Sequence, residues 1–302
     1  MRMLVTGKYG QLPRSLQERG ATFGAEIVLL GRPEFDLADI DRSIGLIEAA
    51  RPDIVVSAAA YTAVDKAEGE PQLAFAVNAD GPRAIATAAA KIGVPLIQIS
   101  TDYVFDGTKS APWTEADVPA PINIYGASKL AGERAVMAAS PGNLIIRVGW
   151  VYSPFGANFA KTIVRLAGER DSLRVVADQI GAPTSALDIA DGVLMVAQRV
   201  LREPSRAELR GLLHMGASGE ATWAEFARMI CDWLGARTGR SIPIENITTA
   251  EYPTAARRPA NSLLDSGRLA RVHDVRMPSW WTSAEQVLPR LVDARISTCE
   301  GS

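Results

Sequence analysis

The 302-residue sequence predicts an α/β protein built on a doubly wound parallel sheet, with a smaller C-terminal lobe. Three observations predict it. Short apolar runs recur as continuous blocks rather than alternating patterns, as parallel strands covered on both faces require. Helix-length segments separate those runs, which is the spacing of β–α–β units. A glycine turn follows the first run directly and opens a helix, the position of the phosphate-binding turn in a Rossmann-type sheet.

The elements follow in order. Met3-Leu4-Val5 is the first strand and residues 27–30 the second. Ile54-Val55-Val56 is the third, after the turn Arg51-Pro52-Asp53. Residues 94–100 form the fourth and Leu144-Ile145-Ile146 the fifth. The alanine-rich stretch 73–91 reads as one helix whose only breaker is Gly81-Pro82. After Trp150 the rhythm changes. Residues 1–150 are therefore expected to form the dinucleotide-binding domain, and 151–302 mainly a substrate-binding lobe with segments returning to the sheet. In that second half, residues 157–167, 188–200 and 222–234 read as helices and 173–176 as a strand. Trp223, Phe226, Ile230 and Leu234 share one face of the third of these helices. Pro243, Pro253, Pro259 and Pro278 predict a loop-rich tail.

Composition narrows the function classes. The net charge of −2 supplies no basic field for nucleic acid. No apolar run reaches the roughly 18 residues of a membrane span. The N-terminus runs straight into a strand, without a signal-peptide pattern, so a cytoplasmic location is expected. The two cysteines, Cys231 and Cys299, are far apart, and the only histidines are His214 and His273. Neither a disulfide framework nor a metal site is expected.

The chemistry begins at Gly7-Lys8-Tyr9-Gly10-Gln11-Leu12-Pro13. Gly7 permits a tight turn, and Gly10 lets the backbone approach a pyrophosphate at the helix N-terminus. A plain strand–helix turn is the bland alternative. Pro13 stands where a third glycine would allow close helix–strand packing; in a first turn its missing amide costs little. After the second strand, Gly31-Arg32-Pro33 offers no acid for a ribose 2′-hydroxyl. Arg32 can meet a 2′-phosphate, which tilts the cofactor toward NADP(H), or it can face water or the adenine.

Ser100-Thr101-Asp102-Tyr103 follows the fourth strand, and ligands in such sheets sit beyond strand C-termini. Tyr125 and Lys129 lie at i and i+4, on one face of the next helix. An ammonium beside the phenol would lower its pKa from about 10 toward neutrality, as a proton donor to a nascent alkoxide needs. Thr101 would hydrogen-bond the same oxygen. Taken alone, the Tyr–Lys pair is more often an exposed stripe. The glycine turn, the hydroxyl and the pair arriving in this order define a dehydrogenase-type site.

These residues also carry a resemblance. The chain resembles the extended short-chain dehydrogenase/reductase family over almost its whole length, and within it the reductases of 4-keto-6-deoxysugar nucleotides. The Tyr125–Lys129 pair is shared by the superfamily, whereas residues 58–68 and 178–184 are more specific to the reductases; the likeness also takes in Arg257-Arg258-Pro259-Ala260-Asn261-Ser262. The resemblance implies a catalytic Thr101, Tyr125 and Lys129. It implies NADPH or NADH held by Gly10, Gln11, Leu12, Asp36, Leu37, Ala60, Tyr61 and Thr62, with Tyr125 and Lys129 on the nicotinamide ribose. Asn78 would support Lys129 or a water. Substrate contacts would come from Val64, Asp65, Thr101, Asp102, Phe105 and Trp150, although a core aromatic at the domain seam is an equal reading of Trp150. The implied reaction is reduction of dTDP-4-dehydro-6-deoxy-L-mannose to dTDP-L-rhamnose, in a possible homodimer. Some relatives dimerise through magnesium on acidic residues; Ser15 replaces one of these, and Asp188 and Asp191 read as helix-surface charges, so no metal is carried over. A nucleotide-sugar epimerase or dehydratase, a reductase of another keto-sugar, and a regulatory subunit like that of methionine adenosyltransferase remain open.

Overall fold

The computed structural model describes residues 1–39 and 44–299, with residues 293–299 by backbone alone, so the Cys299 side chain lies outside the described residues. The strands are β1 (Arg2–Thr6), β2 (Glu26–Leu30), β3 (Ile54–Ser57), β4 (Leu96–Thr101), β5 (Leu144–Val148), β6 (Val151–Tyr152), β7 (Leu173–Val176), β8 (Ile180–Gly181), β9 (Thr184–Ser185), β10 (Gly211–His214), β11 (Ala221–Thr222) and β12 (Ile244–Ile247). The principal helices are α1 (Gln11–Arg19), α2 (Gly81–Lys91), α3 (Ile124–Ala139), α4 (Phe159–Glu169), α5 (Ala186–Arg202), α6 (Trp223–Thr238), α7 (Gly267–His273) and α8 (Trp280–Cys299).

Six strands form one parallel sheet in the order β2-β1-β3-β4-β5-β10. The chain leaves β1 to one side for β2 and returns to the other side for β3. That reversal is the switch point at which open α/β sheets bind ligands. Period-2 alternation divides the strand side chains between two cores. Met3, Val5, Ile97, Ile99 and Ile146 pack with Leu16 of α1 and Ile189, Val193 and Val196 of α5. Leu4, Val55, Leu96 and Ile145 pack with Ile85 and Ala89 of α2 and Val136 of α3. Both faces are covered, as the continuous apolar runs require. A third core joins α4, α6 and α8 through Ile163, Phe226, Ile230, Val287 and Leu288. Beside it, β7 pairs with β12 in a small parallel ladder.

Two elements differ from the sequence expectation. Residues 73–91 do not form one helix: Pro71–Phe75 is a helical turn, Ala76–Asp80 a π turn, and only then does α2 begin. The tail is not loop-rich to its end, because α8 runs 20 residues with Pro289 inside it. Trp280, Ala284, Val287, Leu288 and Leu291 recur at helical spacing and bury one stripe of α8.

Candidate active site

The glycine turn has the conformation its residues require. Gly7 adopts φ +99°, where an added Cβ would stand 3.2 Å from Ala59 Cα. Its amide donates to Leu30 O at 2.7 Å, which ties the turn to the end of β2. Thr6 Oγ1 accepts the Ala58 and Ala59 amides, each at 3.1 Å, which joins the ends of β1 and β3. Gly10 is the N-cap of α1 with no side chain to cap it, and the first turn carries no acid. Amides at the positive end of α1 thus lack a side-chain acceptor and fit an anionic pyrophosphate. Pro13 sits within that first turn, and its Cδ lies 3.2 Å from where a Gly10 Cβ would be.

The other expected cofactor residues are spread along the same edge. Gln11 turns its side chain toward the second half of the chain: Nε2 donates to Val151 O at 3.3 Å, and Oε1 accepts from Ser153 Oγ and Asn158 Nδ2. The Leu12 side chain is buried in the core. Arg32 is exposed beyond β2. Asp36 Oδ1 accepts the Ala38 amide, and Leu37 packs where a Gly81 Cβ would be. Ala60, Tyr61 and Thr62 follow β3. Asn78 holds this loop from the π turn. Its Oδ1 accepts the Tyr61 amide at 2.8 Å, and its Nδ2 donates to Tyr61 O and to Ser128 Oγ at 3.0 Å. Asn78 therefore grips the neighbour of Lys129, not Lys129 itself.

Helix α3 delivers the Tyr–Lys pair. Asn123 caps it by accepting the Gly126 amide at 2.8 Å, and Asn123 Nδ2 donates to Arg257 O. A Cβ on Gly126 would fall 2.0 Å from Tyr103 O, and one on Gly132 would fall 2.1 Å from Asn78 O. Only glycine lets α3 lie this close to both backbones. Tyr125 is thereby brought to the end of β4, its ring edge-on to that of Tyr103 with centroids 5.8 Å apart. The Lys129 ammonium donates to Ile99 O at 2.6 Å.

Burial dominates the electrostatics. It pushes Lys129 down to about 8 against the opposing charge of Glu133. It pushes Tyr125 up to about 12; the polar Thr101 hydroxyl pulls the other way, and the Asp102 charge adds to the rise. The expected drop of the phenol toward neutrality is thus not realised here, because Lys129 is engaged by Ile99 O and desolvation prevails. Asp102 is also buried, which raises it to about 6 despite the hydrogen bond from Thr101. Its Oδ1 accepts the Thr101 hydroxyl at 2.8 Å, and its buried Oδ2 has no hydrogen-bond partner.

The expected substrate residues divide into three groups. Asp102 joins Thr101 and Tyr125. Val64 is half-buried, and Asp65 is tied to a late loop: it accepts the Ala256 amide at 3.0 Å and Arg258 Nη2 at 2.7 Å. Phe105 is fully buried, stacked 4.4 Å from Trp113, so its ring is not offered to the crevice. Trp150, at φ +48°, lies stacked on Trp223 with ring centroids 3.5 Å apart. Asp188 and Asp191 are not free surface charges. Asp191 takes both guanidinium arms of Arg19, at 2.6 and 2.7 Å, and Asp188 accepts Ser283 Oγ at 2.5 Å. Ser15 is buried and donates to Gln11 O.

Sequence reasoning missed Arg258, Trp223 and the buried pair Glu133–Arg147. The first lies in the motif 257–262, but its partner Asp65 is almost two hundred residues away in sequence. Glu133 stands four residues beyond Lys129, which was the available signal.

A glycine turn at the switch point, with a threonine at the end of β4 and a tyrosine–lysine pair on the helix packed against it, defines an NAD(P)H-dependent oxidoreductase of the short-chain dehydrogenase type. The chain belongs to the RmlD substrate binding domain family, whose model matches residues 1–292. It is 52% identical over 288 residues to the dTDP-4-dehydrorhamnose reductase of Sinorhizobium fredii NGR234, covering 95% of this chain and 97% of the relative. Its structure is similar to a dTDP-4-dehydrorhamnose reductase from Clostridium acetobutylicum, with TM-score 0.87, 35% identity and coverage of 96% and 99%. It is also similar to the Bacillus anthracis dTDP-4-dehydrorhamnose reductase in complex with NADP, with TM-score 0.86, 36% identity and coverage of 95% and 98%. No helix among the described residues is long and apolar enough to cross a membrane.

Proposed function

We propose that this chain reduces the C4 keto group of dTDP-4-dehydro-6-deoxy-L-mannose to dTDP-L-rhamnose, using NADPH or NADH. The observation that carries this reading is that α3 lies against the end of β4, with Tyr125 edge-on to Tyr103 at 5.8 Å and Lys129 bonded to Ile99 O, so that Thr101, Tyr125 and Lys129 meet one strand removed from the β1/β3 switch point. Family membership supplies the substrate class.

In this reading the pyrophosphate lies on Gly7, Gly10 and the first amides of α1, with Gln11 and Leu12 contributing backbone only. Asp36, Leu37, Ala60, Tyr61 and Thr62 flank the rest of the dinucleotide. Arg32 faces the adenosine ribose and favours a 2′-phosphate, in keeping with NADP in the Bacillus anthracis relative. The nicotinamide, when bound, supplies the hydride that C4 of the sugar accepts. Tyr125 gives its phenolic proton to O4, so the carbonyl becomes an alcohol and the phenol a phenolate. Lys129 offsets that phenolate charge and positions the ribose. Thr101 holds the phenol and the keto oxygen in register. Val64, Asp65, Asp102 and Trp150 line the sugar side, with Phe105 fixing the β4 turn from behind. The lobe built on α4, α6 and α8 covers the nucleotide sugar, while α5 and β10 belong to the sheet domain. A cytoplasmic homodimer is the expected assembly.

The test is NAD(P)H oxidation with a panel of dTDP-4-keto-6-deoxysugars, followed by product identification. Formation of dTDP-L-rhamnose is expected. An absence of oxidation, or a product epimeric at C4, would overturn the assignment.

A further inference from the structure

Beneath the Tyr–Lys pair lies a row of buried polar groups that the proposed reaction does not use. In the sheet register Ser100 of β4 stands beside Arg147 of β5, which stands beside His214 of β10. Arg147 is 2% exposed, and its Nε and Nη2 donate to the two carboxylate oxygens of Glu133, at 2.8 and 2.7 Å. Its plane covers Phe105 at 4.9 Å, and its remaining arm approaches His214 Nε2 at 3.5 Å. His214 Nδ1 lies 3.0 Å from Trp113 O. A ring that donates there and accepts from Arg147 is neutral; burial and the Arg147 charge hold it down to about 3.

A buried ion pair of this kind is poor value as a stabiliser, since desolvation cancels much of its attraction. Its place suggests another use. Glu133 is one turn beyond Lys129 on the same buried face of α3. Lys129 is 4% exposed, and its one protein hydrogen bond is to a neutral carbonyl, Ile99 O. The titratable and charged groups on the elements around it are Tyr125 and Glu133 on α3, Asp102 and Tyr103 after β4, and Arg147 and His214 on β5 and β10. The Glu133 charge opposes the desolvation of Lys129.

We propose that Glu133, fixed by its two bonds to Arg147, is a positioning residue that keeps Lys129 an ammonium at the active site. Arg147 locks the direction of the carboxylate, because a guanidinium fork admits one geometry. His214 and Trp113 hold the guanidinium in turn. The inference rests on the proposed role of Lys129, but its test does not depend on turnover.

The test follows the Lys129 amine itself by isotope-edited NMR titration, alongside the pH profile of kcat/KM. In Glu133→Gln the Lys129 midpoint is expected to fall by about one pH unit or more. The alkaline limb of kcat/KM should fall with it. Glu133→Asp and Arg147→Lys keep the charges and should leave the midpoint within about half a unit. A purely structural role predicts a lower kcat or lower stability with the midpoint unmoved, and that result overturns the proposal. Should Glu133→Gln not fold, the double variant Glu133→Gln/Arg147→Met removes both charges together. Its midpoint must also fall, and an unchanged one is equally fatal. A wild type that oxidises no NAD(P)H, yet shows the midpoint shift, would sink the proposed function and spare this inference.

Discussion

Thr101 donates its hydroxyl proton to Oδ1 of Asp102 across 2.8 Å, although the two residues are adjacent in the chain. The same oxygen accepts the Tyr103 amide at 3.2 Å and favours ionisation of the nearby Tyr125 phenol. One hydroxyl therefore organises the end of β4 and the following turn beside the proton donor. Its single proton is already held by the carboxylate. Thr101→Ser keeps every bond and should retain turnover within about tenfold, whereas Thr101→Val loses them all. Tyr125→Phe removes the acid itself, so kcat should drop by at least roughly 10²-fold. Thr101→Val should fall nearly as far. Steady-state kinetics with saturating cofactor checks all three; a Phe variant with near-normal kcat would remove Tyr125 from the chemistry.

Asp102 carries a stability penalty with a defined pH window. Its folded value is raised from 3.8 to about 6, so the native state binds the proton more tightly than the unfolded chain does. The favourable contribution is complete below the unfolded value and lost as pH rises through the folded one. A rise of about two units corresponds to about 3 kcal/mol lost above pH 6. Asp102→Asn removes the charge and still accepts the Thr101 hydroxyl. The partnerless Oδ2 becomes an amide that is also unpaired, which returns about 1 kcal/mol of the gain. Urea unfolding should show Asp102→Asn more stable than wild type by about 2 kcal/mol at pH 8 and no more stable below pH 4. A variant that is less stable at both pH values would mean that burial is not what raises this carboxyl.

The limits of reading the sequence follow from which contacts are local. The five first strands were legible because a two-sided parallel sheet writes continuous apolar runs, and the chain order of Gly7, Thr101, Tyr125 and Lys129 matched the edge they share. The break in residues 73–91 was not, because a π turn keeps helical composition while shifting its register; Asn78 is carried by that turn. Strand β10 is four residues long and pairs with β5 from far along the chain. The prolines at 243, 253, 259 and 278 obscured the helical spacing that Trp280, Ala284, Val287 and Leu291 display in α8. The ion pairs Asp65–Arg258 and Glu133–Arg147 join separate elements, and no local pattern announces them.

Trp150 and Gly181 form the tightest joint between the two halves. A Cβ on Gly181 would lie 2.3 Å from Trp150 Cε2, while the ring is stacked on Trp223 at 3.5 Å. With Trp223 against it, the indole cannot yield toward that neighbour. Gly181→Ala should therefore displace Trp150 from the sugar side of the crevice. The expected result is a KM for the nucleotide sugar raised by about tenfold, an effect of about 1.4 kcal/mol. The dissociation constant for NADPH should change by less than about twofold. Equal losses for both ligands would indicate a general disturbance of β8 in place of a local one. Trp223→Ala, which frees space beside the ring, should partly restore the KM of Gly181→Ala.

Gly7 and Gly24 share a left-handed backbone but not a neighbourhood, which separates strain from ligand binding. Gly24, at φ +61°, has nothing within 4 Å of an added Cβ. Gly24→Ala thus meets only the backbone cost, about 1 kcal/mol, and should leave cofactor affinity unchanged. At Gly7, φ is +99° and the added carbon would stand 3.2 Å from Ala59 Cα and 3.3 Å from Ala59 N. Backbone atoms cannot rotate away, so either the turn or the end of β3 must move. The turn leads into the uncapped amides at the start of α1. Gly7→Ala should lose about 1–3 kcal/mol of stability and also weaken NADPH binding by roughly tenfold or more, an effect of at least about 1.4 kcal/mol. Titration of cofactor against both variants decides the matter. If Gly7→Ala binds NADPH as Gly24→Ala does, the pyrophosphate does not rest on this turn.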